Sequence, residues 1–374
     1  MKKAGLYFHI PFCVRKCRYC SFNSIPFDKE IAKKYVLAIL KEMRMRGIGI
    51  DPLSIYVGGG TPTVLPMESL RLLLEGIGEY FNPEAGTELT VEANPGALGH
   101  IDFSALQALG VNRVSLGAQS FDPEELRTLG RIHGPGEIKR AVDELRASGI
   151  DNISIDLIYS LPGQDMKRWQ NSLDEAISLS PEHISLYDLS IEEGTEFHAM
   201  QKAGLLTLPP ETVQVEMYLQ AVSRLSEAGY ARYEISNFAR PGHECAHNLN
   251  YWSACDFIGF GAGAHSRAEG HAAWNVPDIA RYIERLEKGE SPAESSEVLT
   301  PGEREREFLM LGLRKSDGFS LEEYETRFGK DFLDEYGSIA MKMADAGYMV
   351  ISEGKAFLTM RGVLASNRVI AEFF

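Results

Sequence analysis

The 374-residue sequence has few cysteines and no long apolar run. Its five cysteines are an odd number and three of them are clustered, so they do not specify a disulfide framework. No apolar stretch approaches the roughly 20 residues that a membrane-spanning helix needs. His9 and Pro11 interrupt the first apolar run, which excludes a signal peptide. We therefore expect a cytoplasmic protein with at most peripheral membrane contact through its partners.

The sequence is also short of positive charge. Lys and Arg number 38 against 53 Asp and Glu, which gives a formal net charge of −15. Because an acidic surface repels a phosphate backbone, we do not expect nucleic acid as a partner. The hydrophobic share of 44% and the length of the chain predict a main domain with a smaller appendage.

The first half of the sequence alternates β-rich runs with amphipathic helical stretches. The predicted strands are Gly5–Phe8, Ser54–Val57, Glu88–Glu92, Val111–Leu116, Ile153–Ile158 and His183–Asp188. The predicted helices are Lys29–Arg46, Met67–Phe81, Asp102–Leu109, Gly136–Ser148 and Met166–Leu179. This order predicts an α/β fold with a parallel sheet. Polar or glycine residues follow nearly every strand, which favours a partial (β/α)6 parallel barrel over an open doubly wound sheet.

The chain after residue 193 is predicted to be helical and then irregular. A Pro/Ser/Glu-rich stretch in Tyr282–Val298 indicates a linker, so we expect two domains, 1–295 and 296–374. The elements predicted in the second domain are helices Pro301–Lys315, Leu321–Phe328 and Asp331–Ala346, a hairpin of Tyr348–Ser352 and Ala356–Leu358, and a helix Arg361–Glu372. This order is typical of a winged helix. Its 14 acids and ten bases argue against DNA binding and favour a structural or partner-binding role.

Three cysteines in the segment YFHIPFCVRKCRYCSFNS carry the strongest chemical signal. Cys13, Cys17 and Cys20 form a C-x3-C-x2-C pattern, and thiolates suit zinc or iron–sulfur centres. A structural zinc site needs a fourth ligand, for which His9 is a candidate. Unliganded structural cysteines are a second alternative. A [4Fe–4S] cluster with one iron free of protein ligands is the third, and the one we favour.

This cysteine pattern on the loop after a first strand resembles the radical S-adenosylmethionine (radical SAM) superfamily. In that family SAM chelates the open iron, and electron transfer from the cluster yields a 5′-deoxyadenosyl radical. The resemblance therefore implies a [4Fe–4S] cluster on Cys13, Cys17 and Cys20, SAM as a cofactor, and an electron donor if SAM is cleaved. It also implies that Tyr19 packs near the adenine.

Further motifs resemble the oxygen-independent coproporphyrinogen III oxidase-like branch of that superfamily. YFHIPFC, GGGTPT, VEANPG, GAQSF, LGRIHG and DLIYSLPGQ follow in order from residue 7 to about residue 165. The residues that the resemblance places around SAM are Tyr7, Gly59, Gly60, Thr61, Glu92, Gln119, Arg131 and Asp156. Acids on apolar strands are costly without a partner, and we expect Arg131 to be the cation for Glu92 and Asp156.

Two departures separate the sequence from the coproporphyrinogen enzyme itself. Phe22 stands where that enzyme has a further cysteine, and the first motif begins at residue 7 instead of following a long segment. The sequence instead resembles the HemW-type haem chaperones. The residues similar to the haem-binding motif of that group are His247, Asn248, Tyr251 and Trp252.

The motif implies haem as a ligand, with His247 as the expected axial ligand and Cys245 as the next candidate. Tyr251 and Trp252 offer flat apolar area for a macrocycle. The alternative is an aromatic segment that packs on the barrel, with His247 hydrogen-bonded. The resemblance implies a haem chaperone that delivers haem to apo-haem proteins of the respiratory chain. Oxidative decarboxylation of coproporphyrinogen III to protoporphyrinogen IX is the first rival function, and a non-radical binding protein with a structural metal is the second.

Overall fold

A computed structural model describes residues 2–47 and 49–374 of the chain. Its strands are β1 (Lys2–Ile10), β2 (Phe12–Cys13), β3 (Ile25–Pro26), β4 (Ile50–Gly59), β5 (Glu88–Ala93), β6 (Arg113–Gln119), β7 (Asn152–Tyr159), β8 (His183–Asp188), β9 (Ala231–Arg232), β10 (Asn237–Ala239), β11 (Phe257–Phe260), β12 (His265–Ala268), β13 (His271–Asn275), β14 (Ala293–Val298), β15 (Phe319–Ser320), β16 (Met349–Ser352) and β17 (Lys355–Leu358). Its α-helices are α1 (Lys29–Arg46), α2 (Met67–Phe81), α3 (Phe103–Ala108), α4 (Pro123–Leu129), α5 (Pro135–Ala147), α6 (Met166–Ser178), α7 (Glu196–Lys202), α8 (Glu211–Glu227), α9 (Ala246–Trp252), α10 (Ile279–Glu287), α11 (Pro301–Gly312), α12 (Leu321–Phe328), α13 (Phe332–Asp345), α14 (Met360–Leu364) and α15 (Ser366–Ala371). Within these ranges, none of the helices is both long and apolar enough to cross a bilayer.

Twelve strands form one sheet with the order β14-β13-β12-β11-β1-β4-β5-β6-β7-β8-β10-β9. The central strands β1, β4, β5, β6, β7 and β8 are parallel neighbours in chain order. The sheet is curved, since residues at the carboxyl ends of strands as far apart as β4 and β8, such as Gly59 and Asp188, line one cavity. Among the described residues the edge strands β14 and β9 do not pair with each other, so the barrel stays open. The predicted partial parallel barrel is confirmed.

Local sequence signals explain where these elements begin and which side they bury. The side chains of Asp28 and Asp165 accept hydrogen bonds from the first-turn N–H groups of α1 and α6, as helix N-caps do. Along β7, Ile153 and Ile155 are buried on one face of the sheet, while Ser154 and Asp156 share the other face. This alternation directs polar side chains of the central strands into the concave side of the barrel.

Residues 193–298 extend the sheet, which the sequence pattern did not predict. β11 pairs with β1 in parallel, and β12, β13 and β14 follow it as antiparallel strands. The expected linker is wrong at Ala293–Val298, because that stretch forms strand β14. Every residue of β14 is exposed, so its sequence lacks the apolar alternation that marks a half-buried strand. A domain division at residues 295/296 falls inside this strand and stays a prediction.

The C-terminal part contains the helices and hairpin that were predicted. β16 and β17 form an antiparallel hairpin, and β15 pairs with β17 to give a three-stranded sheet. Phe308, Tyr324 and Phe332 pack edge-on with Phe319 or with one another in its core. The single helix expected over residues 361–372 is two short helices that meet at Ala365. The small winged-helix-like arrangement is otherwise as expected.

Candidate functional site

The carboxyl ends of the central strands surround a cavity of about 320 Å³. This volume lies at the lower end of the range for small-molecule sites. The predicted site residues that line it are Cys13, Cys17, Cys20, Tyr19, Gly59, Gly60, Thr61, Glu92, Gln119, Arg131 and Asp156. The structure thus brings together residues that the sequence spreads over more than 140 positions. Which ligands they bind stays a prediction.

The cysteine loop is closed by a short pair of strands. β2 pairs with β3, so the chain leaves this strand pair after Cys13 and returns to it at Ile25. Thr61 Oγ1 lies 3.8 Å from Cys13 Sγ, and Arg131 Nη1 lies 3.4 Å from Cys17 Sγ. Burial raises the pKa of the Cys13 and Cys20 thiols. At Cys13, Thr61 and Arg131 partly oppose this rise in pKa, and a bound metal would favour the deprotonated thiolates.

His9 has no free nitrogen to offer a metal. Its Nδ1 lies 3.0 Å from the Tyr7 hydroxyl and its Nε2 lies 2.8 Å from the Asn23 carbonyl oxygen. In residues 2–47 and 49–374, no three His, Cys, Asp or Glu side chains are grouped around a single-ion position. The zinc alternative therefore lacks its proposed fourth ligand, whereas a cluster with one open iron requires only the three thiolates.

The glycines that end β4 allow this strand to pass under the cysteine loop. Gly59 has a φ of +114°, and a Cβ built there would lie 2.5 Å from His9 Nδ1. A Cβ on Gly60 would lie 2.6 Å from the Phe12 carbonyl oxygen, in the backbone of β2. These two glycines therefore fix the approach of Thr61 to Cys13.

Gly117 of β6 opens directly into the cavity. A Cβ built on Gly117 would lie 2.9 Å from Gln119 Nε2 and 3.2 Å from Arg131 Nη2, and both side chains line the cavity. The register of β6 shifts at this point, and Gln119 has a φ of +69°, which is uncommon for a residue other than glycine. Such local strain is frequent where a strand presents a side chain to a ligand.

Two half-buried acids form the inner wall of the cavity. Glu92 accepts hydrogen bonds from the Tyr56 hydroxyl at 2.8 Å and from Gly59 N–H at 2.9 Å. Asp156 accepts one from Ser115 Oγ at 2.9 Å. Burial raises the pKa of Glu92 to about 7 and also raises the pKa of Asp156. Both carboxyls therefore sit where a cationic ligand would favour their ionised form.

The prediction that Arg131 is the cation for these acids is wrong. Arg131 donates to Cys17 Sγ and to the Gly117 carbonyl oxygen. The nearby cation is Arg113 of β6, which is 2% exposed and partly opposes the effect of burial on the pKa of Glu92 and Asp156. Arg131 Nε is buried and, among the described residues, has no hydrogen-bond partner. This orphaned donor fits a cavity that is completed by a ligand.

Sequence reasoning did not identify Tyr56, Arg113 or Ser115 as site residues. Tyr56 and Ser115 each stand between apolar neighbours of a predicted strand, so their side chains had to face the concave side of the sheet. This period-two signal was available. Arg113 begins β6, two positions before Ser115, and shares its face.

The HNLNYW segment forms α9 and lies outside the cavity. His247 is 2% exposed, its Nδ1 lies 2.8 Å from Ser54 Oγ, and its Nε2 lies 3.1 Å from the Tyr251 hydroxyl. The Tyr56 ring stacks on the imidazole at 5.0 Å. Burial, with a further contribution from Arg113, lowers the pKa of His247 to about 3, so the ring is neutral. His247 and Tyr251 share a face of the helix as expected. The hydrogen-bonded packing that the sequence left open as an alternative is the arrangement observed.

Of the remaining predicted residues, Asn248 and Trp252 belong to α9, and Tyr7 lies between this helix and the cavity. Asn248 Nδ2 donates to the Tyr233 hydroxyl at 3.4 Å, and the Trp252 ring lies 5.7 Å from the Arg314 guanidinium carbon. Tyr7 does not line the cavity, contrary to the expectation. Its hydroxyl contacts His9, and its ring lies 6.4 Å from that of His247. Tyr7 therefore stands between the two groups of predicted residues.

The chain is similar to known proteins along its whole length. Residues 7–176 match the radical SAM superfamily, and residues 299–365 match the HemN C-terminal domain. The heme chaperone HemW of Bacillus subtilis (strain 168) is 37% identical over 377 residues, which cover 100% of this chain and 99% of that protein. The heme chaperone HemW of Escherichia coli (strain K12) is 40% identical over 267 residues, 70% of each chain.

A solved structure shows the same fold. Coproporphyrinogen III oxidase (HemN) from Escherichia coli, a radical SAM enzyme, matches with a TM-score of 0.86 at 24% identity, covering 100% of this chain and 90% of that one. HemW relatives at 37% and 35% identity, from Bacillus subtilis and Lactococcus lactis, cover 100% of this chain. The chain therefore belongs to the radical SAM superfamily and, within it, to the family of the haem chaperone HemW.

Proposed function

We propose that this protein is a radical SAM-type haem chaperone that binds a [4Fe–4S] cluster, SAM and haem and delivers haem to apo-haem proteins of the respiratory chain. The observation that carries the proposal is the cavity, where three cysteines on one loop and two half-buried acids line the carboxyl end of a parallel barrel. Membership of the HemW family supports haem as the cargo.

In this proposal Cys13, Cys17 and Cys20 hold the cluster, and the donors from Thr61 and Arg131 stabilise their thiolates. When bound, such a cluster supplies an electron to the sulfonium of SAM. Glu92 and Asp156 offer carboxylates to the cationic groups of SAM, and the unpaired Arg131 Nε suits its carboxylate. Because burial raises the pKa of Glu92 to about 7, a cationic ligand would ionise this residue on binding.

Haem binding is proposed on the family and on the composition of α9. Tyr251 and Trp252 provide flat apolar area, and His247 is the proposed axial ligand. In the structure both ring nitrogens of His247 are hydrogen-bonded within the protein. The observed arrangement does not fit a haem on His247, so this role requires α9 to change position.

The test is anaerobic reconstitution with iron and sulfide, followed by haem titration and by transfer to apomyoglobin as a model acceptor. We expect saturable haem binding and transfer. His247→Ala should shift the Soret band and raise the dissociation constant, while the cluster remains. The control is His271→Ala, an exposed residue of β13, which should bind haem as the wild type does. If His247→Ala retains the wild-type spectrum and affinity, His247 is a packing residue and Cys245 is the next ligand to test.

The alternative function is the oxidative decarboxylation of coproporphyrinogen III, for which the same cavity would serve. Phe22 replaces the further cysteine of that enzyme, and its side chain is 62% exposed at the mouth of the cavity. We therefore expect no protoporphyrinogen IX from reconstituted protein with SAM and a strong reductant under strict anaerobiosis. Robust product formation would favour the alternative.

A further inference from the structure

Glu88 of β5 attaches helix α9 to the barrel. Its Oε2 accepts a hydrogen bond from Ala246 N–H at 3.0 Å, and its Oε1 accepts one from His247 N–H at 3.1 Å and lies 3.4 Å from Cys245 Sγ. The N-cap residue of α9, Cys245, makes no capping bond to the helix N–H groups. Glu88 therefore takes the place of the missing N-cap from another element of the fold. A carboxylate at this end of a helix makes charge-assisted hydrogen bonds with the first N–H groups.

In this docked position of α9, both ring nitrogens of His247 are hydrogen-bonded within the protein. Ser54 Oγ binds Nδ1 and is itself hydrogen-bonded by Asn250 Nδ2 at 2.9 Å, while the Tyr251 hydroxyl lies on Nε2. With 2% exposure of His247, neither nitrogen is offered to a ligand outside the protein. The family motif makes His247 the proposed haem ligand. While α9 is docked, however, both ring nitrogens of His247 are hydrogen-bonded within the protein and the side chain is buried.

Two features make the docked position of α9 costly. Trp252 Nε1 is buried and has no hydrogen-bond partner among the described residues. Directly after the helix, Ala254 has a φ of +48°, a left-handed conformation that alanine rarely adopts. Arg327 of α12 holds this turn by donating to the carbonyl oxygens of Ser253 at 3.1 Å and Ala254 at 3.3 Å. Unpaired buried donors and strained turns persist only where other contacts compensate for them, and both are relieved if α9 leaves.

We propose that α9 undocks from the barrel to expose His247, and that Glu88 is the positioning residue that sets the population of the closed state. The inference rests on the proposed haem function, for which it states how the cargo gains access. If haem binds only the open state, its apparent dissociation constant is raised by the inverse of the open fraction. A weaker attachment at Glu88 must then strengthen haem binding, which is the opposite of what the loss of a merely structural contact does.

The test compares the reconstituted full-length protein with its Glu88→Gln variant. Amide hydrogen exchange of residues 245–252 and the modification of His247 by diethyl pyrocarbonate report docking, and haem titration reports access. We expect faster exchange, faster modification and an apparent haem dissociation constant lower by about ten-fold, since a charge-assisted attachment is lost. Ser54→Ala should act in the same direction with a smaller effect.

The matched control is Glu137→Gln, because Glu137 Oε2 accepts a hydrogen bond from Gly134 N–H at 3.0 Å and so caps α5, away from α9. It should change neither the exchange of residues 245–252 nor the affinity for haem. Weaker or unchanged haem binding in Glu88→Gln with faster exchange would overturn the proposal, because docking would then not limit access.

Two further results separate this inference from the proposed function. If His247→Ala does not alter haem binding, the axial role fails, while exchange in Glu88→Gln still decides whether Glu88 controls docking. If Glu88→Gln does not fold, wild-type exchange decides instead. We expect residues 245–252 to exchange through local opening, and exchange only through global unfolding would contradict an undocking helix.

Discussion

The two ends of the barrel carry polar side chains of similar kinds but differ in how these are satisfied. At the carboxyl end, three cysteines face a cavity in which Arg131 Nε lacks a partner among the described residues and burial raises the pKa of Glu92. At the amino end, His247 and Glu88 are hydrogen-bonded to neighbouring protein groups. The two regions thus differ in their surroundings: the groups at the carboxyl end line a cavity, whereas the His247 ring and the Glu88 carboxylate are held by neighbouring protein groups.

Arg113 connects the two ends. Burial disfavours its charge, yet the pKa of Arg113 is raised because Cys245 and Glu88 lie nearby. On the cavity side, the same guanidinium partly opposes the rise in the pKa of Glu92 and Asp156 that burial causes. The charge of Arg113 thus acts on acids of both regions. The contrast between the regions can therefore be tested by substitutions at either end of the barrel.

The largest expected effect is at the cysteine loop. Cys17→Ala removes one of three ligands and should abolish the cluster in reconstituted protein, as measured by iron and sulfide content and by the visible absorption band. Cys255→Ala should leave the cluster intact, because Cys255 lies outside the cavity. Unchanged iron content in Cys17→Ala would show that the cavity at the carboxyl end of the barrel does not hold a cluster.

The next largest effect should follow the removal of the shared cation. Arg113→Met removes a buried guanidinium that contacts Thr90 and acts electrostatically on Glu88 and the acids of the cavity, and we expect a loss of about 1–3 kcal/mol in the free energy of unfolding. Urea denaturation measures it. The control is Arg140→Met on the surface of α5, where the ion pair with Glu137 is exposed and little change is expected. If Arg113→Met lowers the free energy of unfolding as little as the control does, Arg113 does not couple the two ends of the barrel.

The pH dependence of stability should distinguish the cavity from the α9 end. Since burial raises the pKa of Glu92 to about 7 in the folded protein, against 4.5 for an exposed carboxyl, the folded state holds the proton that the unfolded state releases. The contribution of Glu92 to the free energy of unfolding of the apoprotein should therefore fall as pH rises from about 4.5 to 7, against the opposite contribution of His247, whose pKa burial lowers to about 3.

Glu92→Gln should remove up to about 3 kcal/mol of this decline, because the amide has no proton to lose. Urea denaturation of both proteins at pH 5 and pH 8 gives the difference. Parallel pH profiles for the variant and the wild type would mean that Glu92 is ionised in the folded apoprotein.

The smallest effect concerns the hydrogen bond between the Tyr251 hydroxyl and His247 Nε2. Tyr251→Phe keeps the ring and removes the hydroxyl, and we expect a cost of about 1 kcal/mol in the free energy of unfolding. Cluster content and the response to SAM should not change, because Tyr251 does not line the cavity. A changed response to SAM would show that the two regions are more tightly coupled than their contacts indicate.

The sequence predicted α1 and α2 to the residue, because each has a clear helical period, and Asp28 caps the first of them. It did not predict β11–β14. β14 is exposed throughout and is a strand only because β13 supplies its hydrogen bonds, a long-range cause that no local pattern records. The partial barrel followed from the βα repeat, but its extension did not.

Within the site, the motifs and their spacing predicted that the cysteine loop and both acids lie together. They did not predict which arginine acts on the acids, because that depends on the direction of the side chains. Arg131 follows α4 and reaches Cys17, while Arg113 lies on β6 among the inward-facing residues, so the arginine that acts on the pKa of the acids is one that the motifs did not include. The burial of His247 likewise depends on Ser54 and Glu88, which are remote in sequence.

The most direct test of a cluster and SAM in the cavity is the electron paramagnetic resonance spectrum of the reduced, reconstituted protein before and after addition of SAM. We predict that SAM changes the wild-type spectrum and leaves that of Gly117→Val unchanged, because a side chain at Gly117 would occupy the cavity beside Gln119 and Arg131. Gly117 is the better site for this test than Gly60, where a side chain would press on the β2 backbone. A wild-type spectrum that does not respond to SAM would contradict the proposal that the cavity at the carboxyl end of the barrel binds a cluster and SAM.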